Sequence, residues 1–214
     1  KEIYVRQIFA VVFKAGTGCF CSVLNRSMST PKIIIIPGNG DSHIETDHWY
    51  AWVRDQLKGL FFFVIAKDMP DPVLAHKNIW LPYIKNELEA DGNTIIIGHS
   101  SGGVATLKFL EENPLLGAIV IGVNHTDLGD KDEKESGYYD GEWKWEEIKR
   151  NAKWIVQFSS QDDPYIPILE PRFIHEKLNS EYHEYIDRGH FGSPGRSPNQ
   201  FPEVVEIIKC KINN

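Results

Sequence analysis

Six short runs of β-branched and aromatic residues punctuate the chain, at residues 32–37, 61–66, 94–98, 118–123, 154–158 and 182–186. The first, Lys-Ile-Ile-Ile-Ile-Pro, shows no polar alternation. Such a run fits a strand covered on both faces, as in a parallel sheet. Between the runs, apolar residues return every third or fourth position. Trp49, Trp52, Val53 and Leu57 form one such stripe; Ile79, Trp80, Tyr83, Ile84 and Leu88 form a second; Val104, Leu107, Phe109 and Leu110 form a third. Helical patterns also cover residues 142–150, 170–178 and 202–211. Strand and helix periods alternate along the chain. That predicts an α/β fold with a doubly wound, mostly parallel six-stranded sheet and helices on both faces, in one domain over residues 31–214. Loops leaving the C-terminal edge of such a sheet are where ligands bind.

The third run passes directly into Gly98-His99-Ser100-Ser101-Gly102-Gly103 and then into a helix. Gly-x-Ser-x-Gly between a strand and a helix sets the serine on a sharp turn with its hydroxyl exposed, the arrangement called a nucleophile elbow. Glycine is needed around it because the backbone there is strained and closely packed. Ser100 is therefore the candidate nucleophile, and it needs a base to take its proton. In this architecture the acid and then the histidine follow the serine in chain order. Asp162 or Asp163 follows the fifth run and His190 follows the sixth; Asp163, beside Pro164, is the preferred acid. His190 would accept the serine proton and return it to the leaving group. The aspartate would fix the imidazole tautomer and stabilise the imidazolium. Main-chain N–H groups of Ser101, just after the nucleophile, and of Asn39, in the turn Pro37-Gly38-Asn39-Gly40, are the candidate oxyanion donors. His99 adjoins Ser100 and is expected to be structural. His43, His48, His76, His125, His175 and His183 have no motif around them and are expected at the surface.

Residues 124–153 differ from the rest. Nine acids fall within residues 127–147 against Lys131, Lys134 and Lys144, interleaved with Tyr138, Tyr139, Trp143 and Trp145. One reading is a solvated excursion anchored by its aromatics. The other is a lid, since long connections in compact domains are often lids. A lid would offer Tyr138 and Trp143 to substrate, and its field would favour a cationic group such as a free α-amine.

Composition narrows the classes further. The chain has 214 residues and a net charge of −7, which argues against a nucleic-acid surface and against an anionic membrane. No apolar run is long enough to span a bilayer. Three cysteines, Cys19, Cys21 and Cys210, make no disulfide framework, so a reducing, cytoplasmic setting is expected. The glycine turn lacks both the six-residue dinucleotide fingerprint and a Gly-Lys-Ser/Thr ending, and no metal-ligand spacing is present, so neither cofactor nor metal is expected. Residues 1–30 stand apart: they carry Lys1, Arg6, Lys14 and Arg26 and no acid after Glu2. They read as sequence upstream of a start at Met28, as a basic organelle-targeting segment, or as an extra packed element; the first is preferred.

The chain resembles the retinoblastoma-binding protein 9 family of small serine hydrolases, within the α/β-hydrolase fold. The stretches that carry the likeness include Ile36-Pro37-Gly38-Asn39-Gly40, residues 66–72, residues 94–102, Ser136-Gly137-Tyr138, Asp162-Asp163-Pro164 and Gly189-His190-Phe191. The likeness runs from about Met28 to the C-terminus. It implies a triad of Ser100, Asp163 and His190, and ester or aminopeptidase-like activity on small aminoacyl substrates. Two departures matter. The family's Leu-x-Cys-x-Glu element is replaced here by Leu88-Glu89-Ala90-Asp91-Gly92, which argues against retinoblastoma-protein binding. The loop at residues 193–199 is longer and richer in proline than the family suggests. A partner-binding module that retains the elbow is the alternative to an enzyme.

Overall fold

The computed structural model describes residues 30–41, 43–192 and 199–213. The leading basic segment with Met28, Cys19 and Cys21, and the proline-rich loop at residues 193–198, lie outside these.

Among the described residues six strands form one sheet: β1 (Lys32–Ile36), β2 (Phe63–Ala66), β3 (Thr94–His99), β4 (Gly117–Ile121), β5 (Ile155–Ser160) and β6 (Glu181–Tyr185). Their spatial order is β2-β1-β3-β4-β5-β6, and every pairing is parallel. The sheet is thus wholly parallel, where the sequence suggested mostly parallel. The order reverses direction at β1, and helices cover both faces of the sheet. Side chains alternate accordingly. Ile34, Ile36 and Ile96 pack with Trp80 and Ile84 of α2 (Lys77–Asn86), Val104 and Leu107 of α3 (Ser101–Leu110), and Ile174 of α6 (Leu169–Leu178). Ile33, Ile35, Ile95 and Ile97 pack on the other side with Val53 and Leu57 of α1 (Tyr50–Gly59) and Val204 and Ile208 of α7 (Pro202–Asn213). This explains the unbroken isoleucine runs, because both sets of alternate residues need an apolar cover. Each fully buried isoleucine contributes about 1.5–3 kcal/mol. β6, at an edge, is half-exposed along its length, and its sequence is correspondingly polar.

Between β4 and β5 the chain forms two short helices, α4 (Lys131–Ser136) and α5 (Trp145–Asn151). Only a helix at residues 142–150 is apparent from periodicity. α4 has no apolar stripe and rests on its ends. The Asp130 side chain accepts from the N–H groups of Asp132 and Glu133, and Gly137 closes the helix at φ 78°. Caps of this kind each contribute about 1 kcal/mol.

Candidate active site

Ser100 sits between the last residue of β3 and the first of α3, with φ 52° and ψ −125°. A left-handed backbone at a non-glycine residue costs about 1–3 kcal/mol. Ser100 is held there by its N–H, which donates to Ile121 of β4 at 2.8 Å, while its carbonyl accepts from Gly103 and Val104. The flanking glycines are required by contact. A Cβ on Gly98 would lie 2.4 Å from the Gly102 oxygen, and one on Gly102 would lie 2.4 Å from the oxygens of both Ile36 and Pro37. The turn therefore fits only when both positions lack a side chain.

The two loops leaving β5 and β6 are tied to each other. Asp162 Oδ1 accepts from Ser160 Oγ and from the Gly189 N–H, both at 2.7 Å. Ser160 Oγ in turn accepts from the Arg188 N–H. Asp163 Oδ1 takes the N–H groups of Tyr165 and Ile166, which aims Oδ2 at His190 Nδ1, 2.7 Å away. The carboxyl side chain is 3% exposed and the imidazole 10%. A carboxylate oxygen accepts, so Nδ1 is the donor in this contact. Gly122, just after β4, has φ 59°, and a Cβ there would come within 3.0 Å of His190 Cε1. Nothing in the sequence beyond the glycine itself signals this close approach.

Ser100 and His190 line one cleft of about 730 Å³, with Asn39 on its wall. That volume suits a small molecule. Ser101 opens α3, so its N–H has no partner inside the helix. Glu133 and Leu128 from the acidic stretch, and Tyr165, also face the cleft. The Tyr165 ring meets His190 edge-on at 5.2 Å. Glu133 is fixed from below. Asn124 Nδ2 donates to the Tyr139 oxygen at 2.7 Å, and the Tyr139 hydroxyl donates to Glu133 Oε2 at 2.8 Å. Burial pushes the Glu133 carboxyl up, and the charges of Asp130 and Asp132 add to this against the Tyr139 bond.

Tyr138 and Trp143 are not among the residues lining this cleft. Tyr138 is 1% exposed and packs in the core. Trp143 stacks on Trp145 at 4.9 Å, lies under the Lys108 ammonium, and donates its indole N–H to the His125 carbonyl. The acidic residues of the stretch, not its aromatics, reach the cleft.

The expectation for the histidines needs correction. Only His43 of the six expected at the surface is exposed; the rest are half-buried beside acids, hydroxyls or rings. His48 begins a row that runs from the cleft rim inward to buried Tyr50 and His99. Its Nε2 lies 2.9 Å from Asp41 Oδ1, and Asp41 Oδ2 lies 2.6 Å from the Tyr50 oxygen. The Tyr50 oxygen is 2.5 Å from His99 Nδ1, and His99 Nε2 is 2.7 Å from the His190 carbonyl oxygen. Among the described residues, no three His, Cys, Asp or Glu side chains group to hold a metal ion, and no helix is long and apolar enough to cross a membrane.

The fold is that of α/β hydrolases. The structure of the ydeN gene product of Bacillus subtilis aligns with a TM-score of 0.77 at 23% identity, covering 86% of this chain and all of that one. Est1E of Butyrivibrio proteoclasticus aligns with a TM-score of 0.67 at 14% identity, over 89% of this chain and 91% of its own. The Serine hydrolase family model matches residues 33–208, and the chain belongs to that family. Serine hydrolase RBBP9 of Rattus norvegicus is 40% identical over 189 residues, which is 86% of this chain and 98% of the rat protein. The chain is accordingly a serine hydrolase.

Proposed function

We propose that the chain cleaves small carboxylic esters or amides through an acyl-enzyme on Ser100, with His190 as the base and Asp163 as its partner. The observation that carries this reading is the buried 2.7 Å contact between His190 Nδ1 and Asp163 Oδ2, beside a cleft that His190 shares with a serine on a strained turn. In this mechanism Ser100 Oγ attacks the carbonyl carbon as its proton passes to His190 Nε2. The oxyanion is received by the N–H groups of Ser101 and Asn39, where one donor is typically worth about 3 kcal/mol in the transition state. His190 then protonates the departing alcohol or amine. Water, deprotonated by the same nitrogen, releases the acid.

The substrates best matched to the cleft are aminoacyl esters or amides with a free α-amine. Glu133 faces the cleft with Asp130 and Asp132 beside it, and this acidic wall suits an ammonium group next to the scissile carbonyl. The alternative, a partner-binding module, gains nothing from the Leu88-Glu89-Ala90-Asp91-Gly92 stretch, where Leu88 is 2% exposed. Stopped-flow hydrolysis of p-nitrophenyl aminoacyl esters tests the reading. A burst of p-nitrophenol equal to the enzyme present is expected, lost in Ser100→Ala, with faster turnover of the free-amine ester than of its N-acetyl form. No burst and no dependence on Ser100 would defeat the mechanism. Equal turnover of the two esters would defeat the substrate class.

A further inference from the structure

The row of Asp41, Tyr50 and His99 touches neither Ser100 Oγ nor the imidazole nitrogens of His190 through any of the bonds described above, yet it grips the backbone on both sides of them. His99 Nε2 holds the His190 carbonyl. The Tyr50 oxygen also accepts the N–H of Gly38 at 3.3 Å, in the turn that carries Asn39. One phenol thus links the loop of the base to the turn of an oxyanion donor. His99 and Tyr50 are both buried, and the Trp49 indole beside them adds a bond to the Phe191 carbonyl at 2.8 Å.

Three contacts are short: His190 oxygen to His99 Nε2 at 2.7 Å, His99 Nδ1 to the Tyr50 oxygen at 2.5 Å, and the Tyr50 oxygen to Asp41 Oδ2 at 2.6 Å. Each needs one hydrogen between its heavy atoms. The carbonyl brings none, so His99 spends its hydrogen on Nε2. Tyr50 then has one hydrogen and two acceptors. A neutral imidazole, a neutral phenol and an ionised carboxylate supply two hydrogens for three contacts. With one proton more, on Asp41 or on His99, every contact is a hydrogen bond. The Tyr50 oxygen then donates one and accepts two, counting Gly38.

We propose that Asp41, Tyr50 and His99 are positioning residues for His190 and for the Asn39 turn, and that the folded row holds this additional proton. The inference rests on the proposed role of His190. Opposing influences act on the row. Burial, with the nearby His190 imidazole, pushes the His99 imidazole down to about 3. Burial raises the Asp41 carboxyl, and the bonds from His48 and Tyr50 outweigh this and lower it. The phenol that bridges the two groups lets them share one proton between them. Contacts of 2.5 and 2.6 Å on either side of one oxygen are not the spacing of facing lone pairs. The charged and titratable groups around the row are His48 on Asp41, Asp47 near Tyr50, and His190 with Asp163 beyond it; the His48 and His190 rings lie 5.8 and 5.0 Å from that of His99.

The test uses p-nitrophenyl acetate hydrolysis and urea unfolding of the wild type, Tyr50→Phe, Asp41→Asn and Ser100→Ala. Tyr50→Phe is expected to lose between about 10- and 100-fold in kcat, the scale of a slightly misplaced catalytic group, with KM nearly unchanged. Asp41→Asn supplies the missing hydrogen permanently from its amide, so it keeps most of the turnover that Tyr50→Phe loses. A proton taken up on folding stabilises at low pH and is lost as pH rises through the folded value. The gap in unfolding midpoint between wild type and Tyr50→Phe should therefore narrow from pH 6.5 to 9. An unchanged kcat in Tyr50→Phe, an Asp41→Asn as slow as Tyr50→Phe, or a gap that is flat or widens with pH would overturn the proposal. Should Tyr50→Phe fail to fold, Asp41→Asn against Asp41→Ala gives the same comparison. Full activity in Ser100→Ala would instead remove the reading of Ser100 on which the mechanism stands.

Discussion

The floor and the wall of the cleft are built on different principles. The floor is backbone. Ser100 is pinned by the Ile121 carbonyl, Gly98 and Gly102 are locked against neighbouring main chain, and Asp162 ties the loops of Asp163 and His190 together. The wall is charge. Around α4, Asp130 caps a six-residue helix with no apolar face, and Glu133 reaches the cleft from a Tyr139–Asn124 bridge. A floor held by main-chain contacts admits almost no substitution, whereas a wall held by caps and side-chain bonds tolerates changes that retune it. On the proposed reading, changes in the floor remove turnover and changes in the wall alter which substrate is preferred.

Substitutions sharpen this contrast in order of size. Ser100→Ala is expected to lower kcat by about 10⁶, as for other serine nucleophiles. Asp163→Asn keeps the shape and loses the carboxylate, and a fall of about 10⁴ in kcat is expected. Asp162→Asn is the control: it should fall far less, because Asp162 braces the loops instead of touching the imidazole. Gly102→Ala should lose activity and stability together. Its Cβ meets two backbone oxygens at 2.4 Å, and overpacking of this kind costs about 1–3 kcal/mol or more, readable as a lower Tm.

The wall gives a smaller effect of another kind. Glu133→Gln should raise KM for a free-amine ester about tenfold, the loss of one charge-assisted bond, and leave the N-acetyl ester unchanged. Its pH dependence has a definite sign. The carboxyl is raised by burial, so the carboxylate is present above that raised value and is lost as pH falls through it. Preference for the free amine should therefore fade on acidification earlier than a surface glutamate would allow. It should also fade above about pH 8, where the amine itself loses its proton. A preference that survives Glu133→Gln, or that grows on acidification, would place amine selection elsewhere.

What could be read from the chain follows the same division. The strands, the elbow and the order of strand ends announce themselves, because a doubly covered parallel sheet demands unbroken β-branched runs and a tight turn demands glycine at fixed spacing. Ser100 and His190 carry motifs for that reason. The choice between Asp162 and Asp163 could not be made from spacing alone, since adjacent carboxylates differ only in where they point. Tyr138 and Trp143 drew notice as large aromatics in a charged stretch, but large aromatics are also what anchors such a stretch, and the structure uses them that way. Helix α4 has no periodicity to find. Its signal was Asp130 at the cap, Glu133 three residues on and Gly137 at the end. His99 reads as structural from its place beside Ser100, but its partners do not show, because Tyr50 and His190 lie 49 and 91 residues away; His48 escaped because its tie to Asp41 follows neither a helix nor a strand spacing.

The central claim is that Ser100 is an activated nucleophile served by His190. Labelling with a fluorophosphonate, followed by mass spectrometry of the labelled peptide, addresses it most directly. The account predicts one adduct, on Ser100, absent in Ser100→Ala and formed far more slowly in His190→Ala. A folded wild-type protein that takes no label, or takes it on another residue, would contradict it.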